Sequence, residues 1–138
     1  NRNILLVDDS IVRGNTMKKI IEMCRAAGAK KVYVASGAPP VRNPDVYGVD
    51  IPTRSELVAH NLSEKEVCRV IGADALFYQK VEDLVEAARA GNPTVDGFHT
   101  GMFDGKYPTP EVTEELLQKV EFEGRGAQTN GKISLPNI

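Results

Sequence analysis

A short apolar run that ends in two aspartates constrains the fold of this chain more than any other feature. Residues 4–7 are all apolar and lead directly into Asp8 and Asp9, and a helical pattern begins at Thr16. An unbroken apolar run bounded by turn residues predicts a strand that is buried on both faces. The order of strand, acidic tip, glycine-containing loop and helix is typical of open α/β sheets, in which ligands bind beyond the carboxyl ends of the strands.

The segment between this strand and the helix has the chemistry of an anion site. Unpaired backbone N–H groups at a helix start suit a phosphate, and the carboxylates of Asp8 and Asp9 suit a hydrated Mg²⁺ or ribose hydroxyls. The alternative is that the two aspartates form only a polar strand end. Two adjacent carboxylates repel each other and are stabilised by a cation, which favours the functional interpretation.

Length, charge and cysteine content narrow the class of protein. The 138 residues are enough for one domain with a core, and the formal net charge of −2 provides no basic surface for nucleic acid. Cys24 and Cys68 each lie in an apolar helical pattern, so we expect reduced, buried thiols and no disulfide. No stretch is long enough to span a membrane and no signal-peptide pattern is present, which predicts a cytoplasmic protein without a membrane partner.

Hydrophobic periodicity predicts an α/β fold with a partial parallel sheet and flanking helices. The predicted strands cover residues 3–7, 31–36 and 75–78, and the predicted helices cover residues 16–27, 63–71, 81–90 and 111–122. Ser63 and Glu66 have the spacing of a capping box at the start of the second helix. Residues 37–52 and 97–110 are rich in Gly or Pro and are expected to be loops.

The small number of strands indicates an incomplete domain. The first strand is apolar on both predicted faces, and a sheet of three strands leaves it little to lie between. We therefore expect residues 1–122 to be part of a larger domain whose other strands lie upstream. Residues 123–138 are polar and glycine-rich, and we expect them to form a mobile tail.

Six blocks of sequence carry a resemblance to a known family. At residues 7–16 the chain resembles the phosphoribosyl-pyrophosphate (PRPP) motif of type I phosphoribosyltransferases. The blocks are, in order, LLVDDSIVRG, AGAKKVY, ASGAPPVRNPDVYGVDIP, ELVAHN, IGADALFYQ and FDGKYPT. Together they resemble the C-terminal half of the amidophosphoribosyltransferases over roughly residues 1–120, and six blocks in one order are a far more specific match than an aspartate pair alone.

The resemblance implies a reaction and a set of site residues. Residues 1–122 would be the C-terminal portion of a type I phosphoribosyltransferase-like domain. The full-length enzyme would be a glycosyltransferase that forms 5-phosphoribosylamine from PRPP and glutamine-derived ammonia, the first step of de novo purine synthesis. The implied PRPP-binding residues are consecutive: Asp8, Asp9, Ser10, Ile11, Val12, Arg13, Gly14, Asn15 and Thr16. Asp8 and Asp9 would hold ribose hydroxyls and Mg²⁺, and the loop would hold the 5′-phosphate; Asn15 stands where the family most often has threonine.

The resemblance also implies which partners the full-length protein has and which parts of the enzyme this segment lacks. Purine nucleotides would be inhibitors, and the full-length protein would be a homo-oligomer. No catalytic side chain is identified, because the family's lid loop, pyrophosphate-binding segment and glutaminase domain lie upstream in its pattern; we expect the segment alone to be inactive. Some members hold an iron–sulfur cluster, with two of its ligand cysteines at the positions of His99 and Met102 here. This chain has no set of four cysteines, so no cluster is expected. His60 and His99 are too isolated for a metal site and are expected to be at the surface or hydrogen-bonded.

Two other interpretations remain open from the sequence. The stretch ILLVDDS also resembles the start of a response-regulator receiver domain, in which an acidic pair holds Mg²⁺ beside a phosphorylated aspartate. Asp50 would then be the phosphoacceptor and Lys106 the late lysine. Pro and Gly residues before Asp50 break the strand a receiver needs there, and Gly14 stands where its first helix should already be running. The other alternative is a non-catalytic homologue that binds ribose phosphates.

Overall fold

The computed structural model describes residues 1–49, 51 and 53–130, with side chains described as far as residue 122. Within those residues a single sheet contains β1 (Asn3–Asp8), β2 (Lys31–Ser36) and β3 (Ala75–Tyr78), in the order β1-β2-β3. Both pairings are parallel, as the sequence predicts. Because Asp8 aligns with Ser36 and Ser36 aligns with Tyr78, the three strands end in one row at the carboxyl edge of the sheet.

Five α-helices and one 3-10 turn accompany the sheet in the described part of the chain. They are α1 (Asn15–Ala26), the 3-10 turn Arg54–Glu56, α2 (Glu64–Ile71), α3 (Val81–Ala90), α4 (Gly101–Asp104) and α5 (Glu114–Asn130). The predicted capping box of α2 is confirmed, because Ser63 Oγ accepts from Glu66 N–H and Ser63 N–H donates to the Glu66 carboxylate. The short helix α4 was predicted to be loop.

The last helix differs from its prediction at both ends. It begins at Glu114 instead of Glu111, and its backbone continues to Asn130, well past the predicted end at Phe122. The predicted tail, residues 123–138, therefore overlaps the helix over residues 123–130. An established helix adds residues at one hydrogen bond each, which offsets the poor propensity of the glycines in that stretch. Residues 131–138 lie outside the described part, and the mobility of the tail stays a prediction.

The hydrophobic core lies on one face of the sheet. Helices α1 and α2 contact each other and cover this face. The core cluster consists of Ile11, Met17, Ile21, Val32, Val34, Ala59, Val67 and Ile71. On the opposite face Leu5 is 58% exposed, Val7 75% and Phe77 59%. The expectation that the first strand is buried on both faces is therefore wrong for this chain, because both helices that follow strands β1 and β2 pack on the same side.

The loops that follow the three strands meet at the carboxyl edge of the sheet. Gly37 N–H donates to Asp8 O at 2.8 Å, and Gln79 N–H donates to Ser36 O at 3.2 Å. Residues 37–52 are irregular where described, as predicted, and Arg42 ties this segment to the following one by donating to Ala59 O and Leu62 O. The loops that follow the strands are thus held together at one edge of the sheet, the place where loops on a rigid scaffold commonly carry functional residues. Among the described residues, no helix combines the length and apolar character needed to cross a membrane.

Candidate functional site

The loop between β1 and α1 encloses a depression of about 360 Å³ beyond the end of β1. Its lining residues are nearly continuous in sequence: Asp8, Ser10, Ile11, Val12, Arg13, Gly14, Asn15, Thr16 and Met17. The residues assigned to PRPP from the sequence therefore meet at one place, except that Asp9 lies exposed beside the lining. Met17 was not predicted as a site residue; its side chain belongs to the core.

The loop is anchored to the body of the protein from behind. Ile11 is only 2% exposed, and its side chain packs in the core cluster. Val12 O accepts a hydrogen bond of 3.0 Å from Val58 N–H. Because the side chain of Ile11 and the carbonyl of Val12 are both engaged by the protein, these two residues shape the depression and hold the loop in place.

The start of α1 has the geometry of an anion site. Gly14 is the N-cap, with φ of 78°, and no side chain caps the first turn, which also contains no acidic residue. The first N–H groups of a helix have no intrahelical partner and carry the positive end of the helix dipole. A Cβ at Gly14 would lie 3.3 Å from Ile71 Cγ2 and 3.5 Å from Val58 Cγ2. Glycine is therefore required here both for the left-handed backbone and for the close approach of the loop to α2.

The two aspartates keep most of their acceptor capacity. Asp8 Oδ1 accepts from Asp9 N–H at 3.0 Å, and Asp9 Oδ1 accepts from the Ser10 hydroxyl at 3.4 Å. Within the described residues no three His, Cys, Asp or Glu side chains are arranged to hold a metal ion by themselves. Two carboxylates fit a Mg²⁺ that keeps several waters and shares oxygens of a bound phosphate, which is the usual mode of Mg²⁺ binding.

Arg13 extends from the wall of the depression toward the 3-10 turn. Its Nη2 lies 3.4 Å from Glu56 Oε1, and about half of its side chain is exposed. The pair joins the loop to a residue more than forty positions away, so no local sequence pattern predicts it. Arg13 is thus neither simply solvated nor already buried: the residue lines the candidate site, and its guanidinium pairs with a carboxylate outside the lining.

A second group of polar side chains lies in the loops at residues 43–49 and 99–109, and we call Asp45, Tyr47, His99 and Tyr107 the Asp45 cluster. The Asp45 side chain is completely buried. Its Oδ1 lies 2.7 Å from His99 Nε2, and its Oδ2 accepts from Tyr47 N–H at 2.8 Å and Val49 N–H at 2.9 Å. Burial alone would raise the pKa of Asp45, but the bonds from Val49, His99 and Tyr47 outweigh it and lower the pKa.

Both ring nitrogens of His99 are engaged, which argues against a catalytic role. Nε2 faces Asp45, and Nδ1 accepts from Gly101 N–H at 3.3 Å. The His60 ring likewise pairs with the carbonyl of Arg42 at 2.6 Å. Both histidines are therefore hydrogen-bonded, one of the two states predicted for them, and in His99 neither ring nitrogen remains available to a substrate.

The receiver interpretation lacks its central element. Between Ser36 and Ala75 the described residues contain no strand, whereas a receiver needs a buried strand leading to its phosphoacceptor. Asp50, the candidate phosphoacceptor, lies outside the described residues. Lys106 follows the short helix α4 and is exposed, so it does not end a strand next to Asp8.

Comparison of sequences supports the transferase interpretation. No family model matches the chain. The amidophosphoribosyltransferase of Pseudomonas aeruginosa is 50% identical over 131 residues, which cover 95% of this chain and 26% of that protein. The Escherichia coli enzyme is 51% identical over 117 residues, or 85% of this chain and 23% of that protein. The Saccharomyces cerevisiae enzyme is 41% identical over 129 residues, or 94% and 25%.

The fold agrees with the sequences. The structure of glutamine PRPP amidotransferase from Bacillus subtilis, complexed with ADP and GMP, matches with a TM-score of 0.72 and 38% identity. The match covers 86% of this chain and 26% of that one, so the chain spans about a quarter of the length of the relatives it matches. By sequence and by fold, the chain belongs to the amidophosphoribosyltransferase family and corresponds to the C-terminal part of its type I phosphoribosyltransferase domain.

Proposed function

We propose that this chain is the PRPP-binding part of an enzyme that forms 5-phosphoribosylamine from PRPP and glutamine-derived ammonia, at the start of de novo purine synthesis. The observation that carries the proposal is the depression between β1 and α1. There an uncapped helix start and two underused carboxylates, Asp8 and Asp9, meet within one rigidly anchored loop. A 5-phosphoribosyl group carries an anion at one end and hydroxyls at the other, which matches these two halves of the site.

Different residues bind different parts of the ligand. The loop from Ser10 to Thr16 binds the 5′-phosphate through backbone N–H groups and through the hydroxyls of Ser10 and Thr16, and Arg13 lies at the edge of this phosphate site. Asp8 and Asp9 accept from the ribose hydroxyls and hold the Mg²⁺ that accompanies PRPP. When bound, Mg²⁺ neutralises negative charge on the pyrophosphate leaving group.

The contribution of this segment to the reaction is positioning. Displacement at the anomeric carbon requires a ribose whose hydroxyls and 5′-phosphate are fixed while pyrophosphate leaves. The loop and the aspartates supply that fixation, and we assign no general base or nucleophile among the described residues. We therefore expect the segment alone to bind the phosphoribosyl group without forming product, and without hydrolysing glutamine.

Purine nucleotides and oligomerisation belong to the same proposal. The Bacillus subtilis relative was solved with ADP and GMP, which supports purine nucleotides as inhibitors of the enzyme to which this segment belongs. A homo-oligomeric, cytoplasmic full-length enzyme is consistent with this role.

Titration calorimetry with Mg²⁺ and PRPP tests the proposed function. We expect saturable, Mg²⁺-dependent binding to the wild-type chain and a loss of at least about tenfold in affinity for Asp8→Asn, because one charged acceptor is removed. Asp83→Asn, an exposed aspartate in the first turn of α3, is the matched control and should bind like wild type. Incorporation of phosphate from acetyl phosphate, with no binding of PRPP, would instead support the receiver interpretation.

A further inference from the structure

Glu56 lies behind the candidate phosphate loop and contacts it through one side chain. Its Oε1 is 3.4 Å from Arg13 Nη2. Arg13 lines the depression whereas Glu56 does not, so the arginine connects the site to a carboxylate outside it. This arrangement raises the question of whether Glu56 acts on the site through Arg13.

The carboxylate of Glu56 is itself held in place. Thr53 Oγ1 donates to Glu56 Oε2 at 3.5 Å, and Glu56 N–H donates to Thr53 O at 2.9 Å. The same 3-10 turn is tied to α5, because the Arg54 guanidinium pairs with Glu114 and Arg54 N–H donates to Glu121 at 2.8 Å. The turn that carries Glu56 is therefore held both by hydrogen bonds to Thr53 and by contacts with α5.

The turn also supports the loop through its main chain. Val58, two residues after Glu56, donates its N–H to Val12 O at 3.0 Å, and its Cγ2 lies within 3.5 Å of the Cβ position at Gly14. Contacts from the segment 56–58 therefore reach three consecutive loop residues, with Arg13 in the middle.

We propose that Glu56 is a positioning residue that holds the guanidinium of Arg13 at the edge of the depression, ready for the ligand phosphate. The inference rests on the proposed function. An exposed arginine loses rotamer freedom when it binds an anion, and a guanidinium already oriented by a carboxylate loses less. The negative charge of Glu56 also opposes an incoming phosphate, but solvent and salt screen part of that repulsion, because the Glu56 side chain is one-third exposed.

A double-mutant cycle separates the two effects. Affinity for Mg²⁺ and PRPP is measured by calorimetry for the wild type, Glu56→Gln, Arg13→Gln and the double variant. We expect Glu56→Gln to weaken binding by about threefold in the wild-type background, a factor typical of an exposed ion pair. In the Arg13→Gln background the same change should leave affinity unaltered or slightly improved, because only the repulsion is then removed.

Two controls make the cycle specific. Glu86→Gln removes one charge from the exposed surface of α3 and should not change affinity. Urea unfolding of each variant identifies any general loss of structure. Such a loss would make Glu56→Gln weaken binding equally in the wild-type and Arg13→Gln backgrounds.

The possible outcomes decide between the claims. Equal effects of Glu56→Gln in both backgrounds, or tighter binding of the single variant, would overturn the positioning role while leaving the proposed function intact. A wild-type chain that binds no PRPP would contradict both the proposed function and this inference.

Discussion

Two carboxylate-bearing regions of the molecule use their polar groups in opposite ways. In the Asp45 cluster a fully buried carboxylate accepts from two backbone N–H groups and pairs with His99. In the β1–α1 loop, Asp8 and Asp9 accept only from neighbouring residues within the described part of the chain, and no described side chain caps the helix start. The cluster satisfies itself, whereas the loop keeps donors and acceptors available to a ligand.

This contrast assigns the Asp45 cluster to the stability of the fold and the β1–α1 loop to ligand binding. Substitutions in the Asp45 cluster should lower the free energy of unfolding, because they leave buried partners unpaired. Substitutions of Asp8 or Asp9 should change ligand affinity with little effect on unfolding, because their present hydrogen bonds are local and exposed.

Loss of the buried carboxylate should have the largest effect. Asp45→Ala leaves two N–H groups and the His99 ring without their acceptor, and we expect the free energy of unfolding to fall by about 3 kcal/mol. Urea denaturation followed by circular dichroism measures the change. Asp9→Ala, which removes an exposed carboxylate, should shift it by less than about 0.5 kcal/mol. Similar losses in Asp45→Ala and Asp9→Ala would contradict the assignment of stability to the Asp45 cluster and of ligand binding to the loop.

Crowding the Asp45 cluster should cost somewhat less. A Cβ at Gly101 would lie 2.7 Å from Tyr107 Cδ1 and 2.8 Å from His99 Cε1. We expect Gly101→Ala to destabilise the protein by about 2 kcal/mol, because the two rings must move apart. Gly97→Ala is the matched control, since nothing lies within 4 Å of its Cβ position. Equal thermal unfolding midpoints for the two variants would show that the rings are loosely packed.

A substitution in the loop should affect both properties. Gly14→Ala forces a side chain into the left-handed region at φ of 78° and toward Ile71, and we expect a loss of about 1–2 kcal/mol together with weaker PRPP binding. Gly28→Ala imposes similar backbone strain at φ of 91° with no neighbour within 4 Å. It should lose stability without losing affinity. If Gly28→Ala also weakened binding, the loop would not be the site.

The lowered pKa of Asp45 predicts a smaller, pH-dependent effect. Its contribution to stability is present above the unfolded-state pKa, near 3.8, and is lost as the pH falls through the lower pKa of the folded state. The stability difference between wild type and Asp45→Asn should therefore shrink as the pH falls below about 4. Urea denaturation at a series of pH values from neutral to acidic measures it. A difference that stays constant over that range would show that Asp45 does not carry a lowered pKa.

Much of the fold and the loop could be predicted from the sequence because their signals are local. The strands and the capping box follow from short-range patterns, and the site residues are consecutive. What could not be predicted depends on distant residues. Asp45 and His99 are 54 positions apart, although the Asp45-to-Tyr47 bond belongs to the Asx-turn pattern and offered a partial signal. The pairing of Glu56 with Arg13 had no such signal.

The exposure of one sheet face could not be predicted from the sequence for a different reason. The apolar run in β1 predicted burial on both faces, but Leu5 and Val7 are exposed on the side opposite the helices. Residue type reports what a strand is suited to contact, and the contacts present depend on which elements the chain contains.

The most direct test of the central claim is an amide NMR titration of the ¹⁵N-labelled chain with ribose 5-phosphate and Mg²⁺. We expect shifts to concentrate at the amides of residues 9–17, while the amide signals of Tyr47, Val49 and Gly101, in and around the Asp45 cluster, stay unchanged. Asp8→Asn should reduce the response. Shifts centred on the Asp45 cluster, or none at residues 9–17 at saturating ligand, would contradict the assignment of the β1–α1 loop as the phosphoribosyl site.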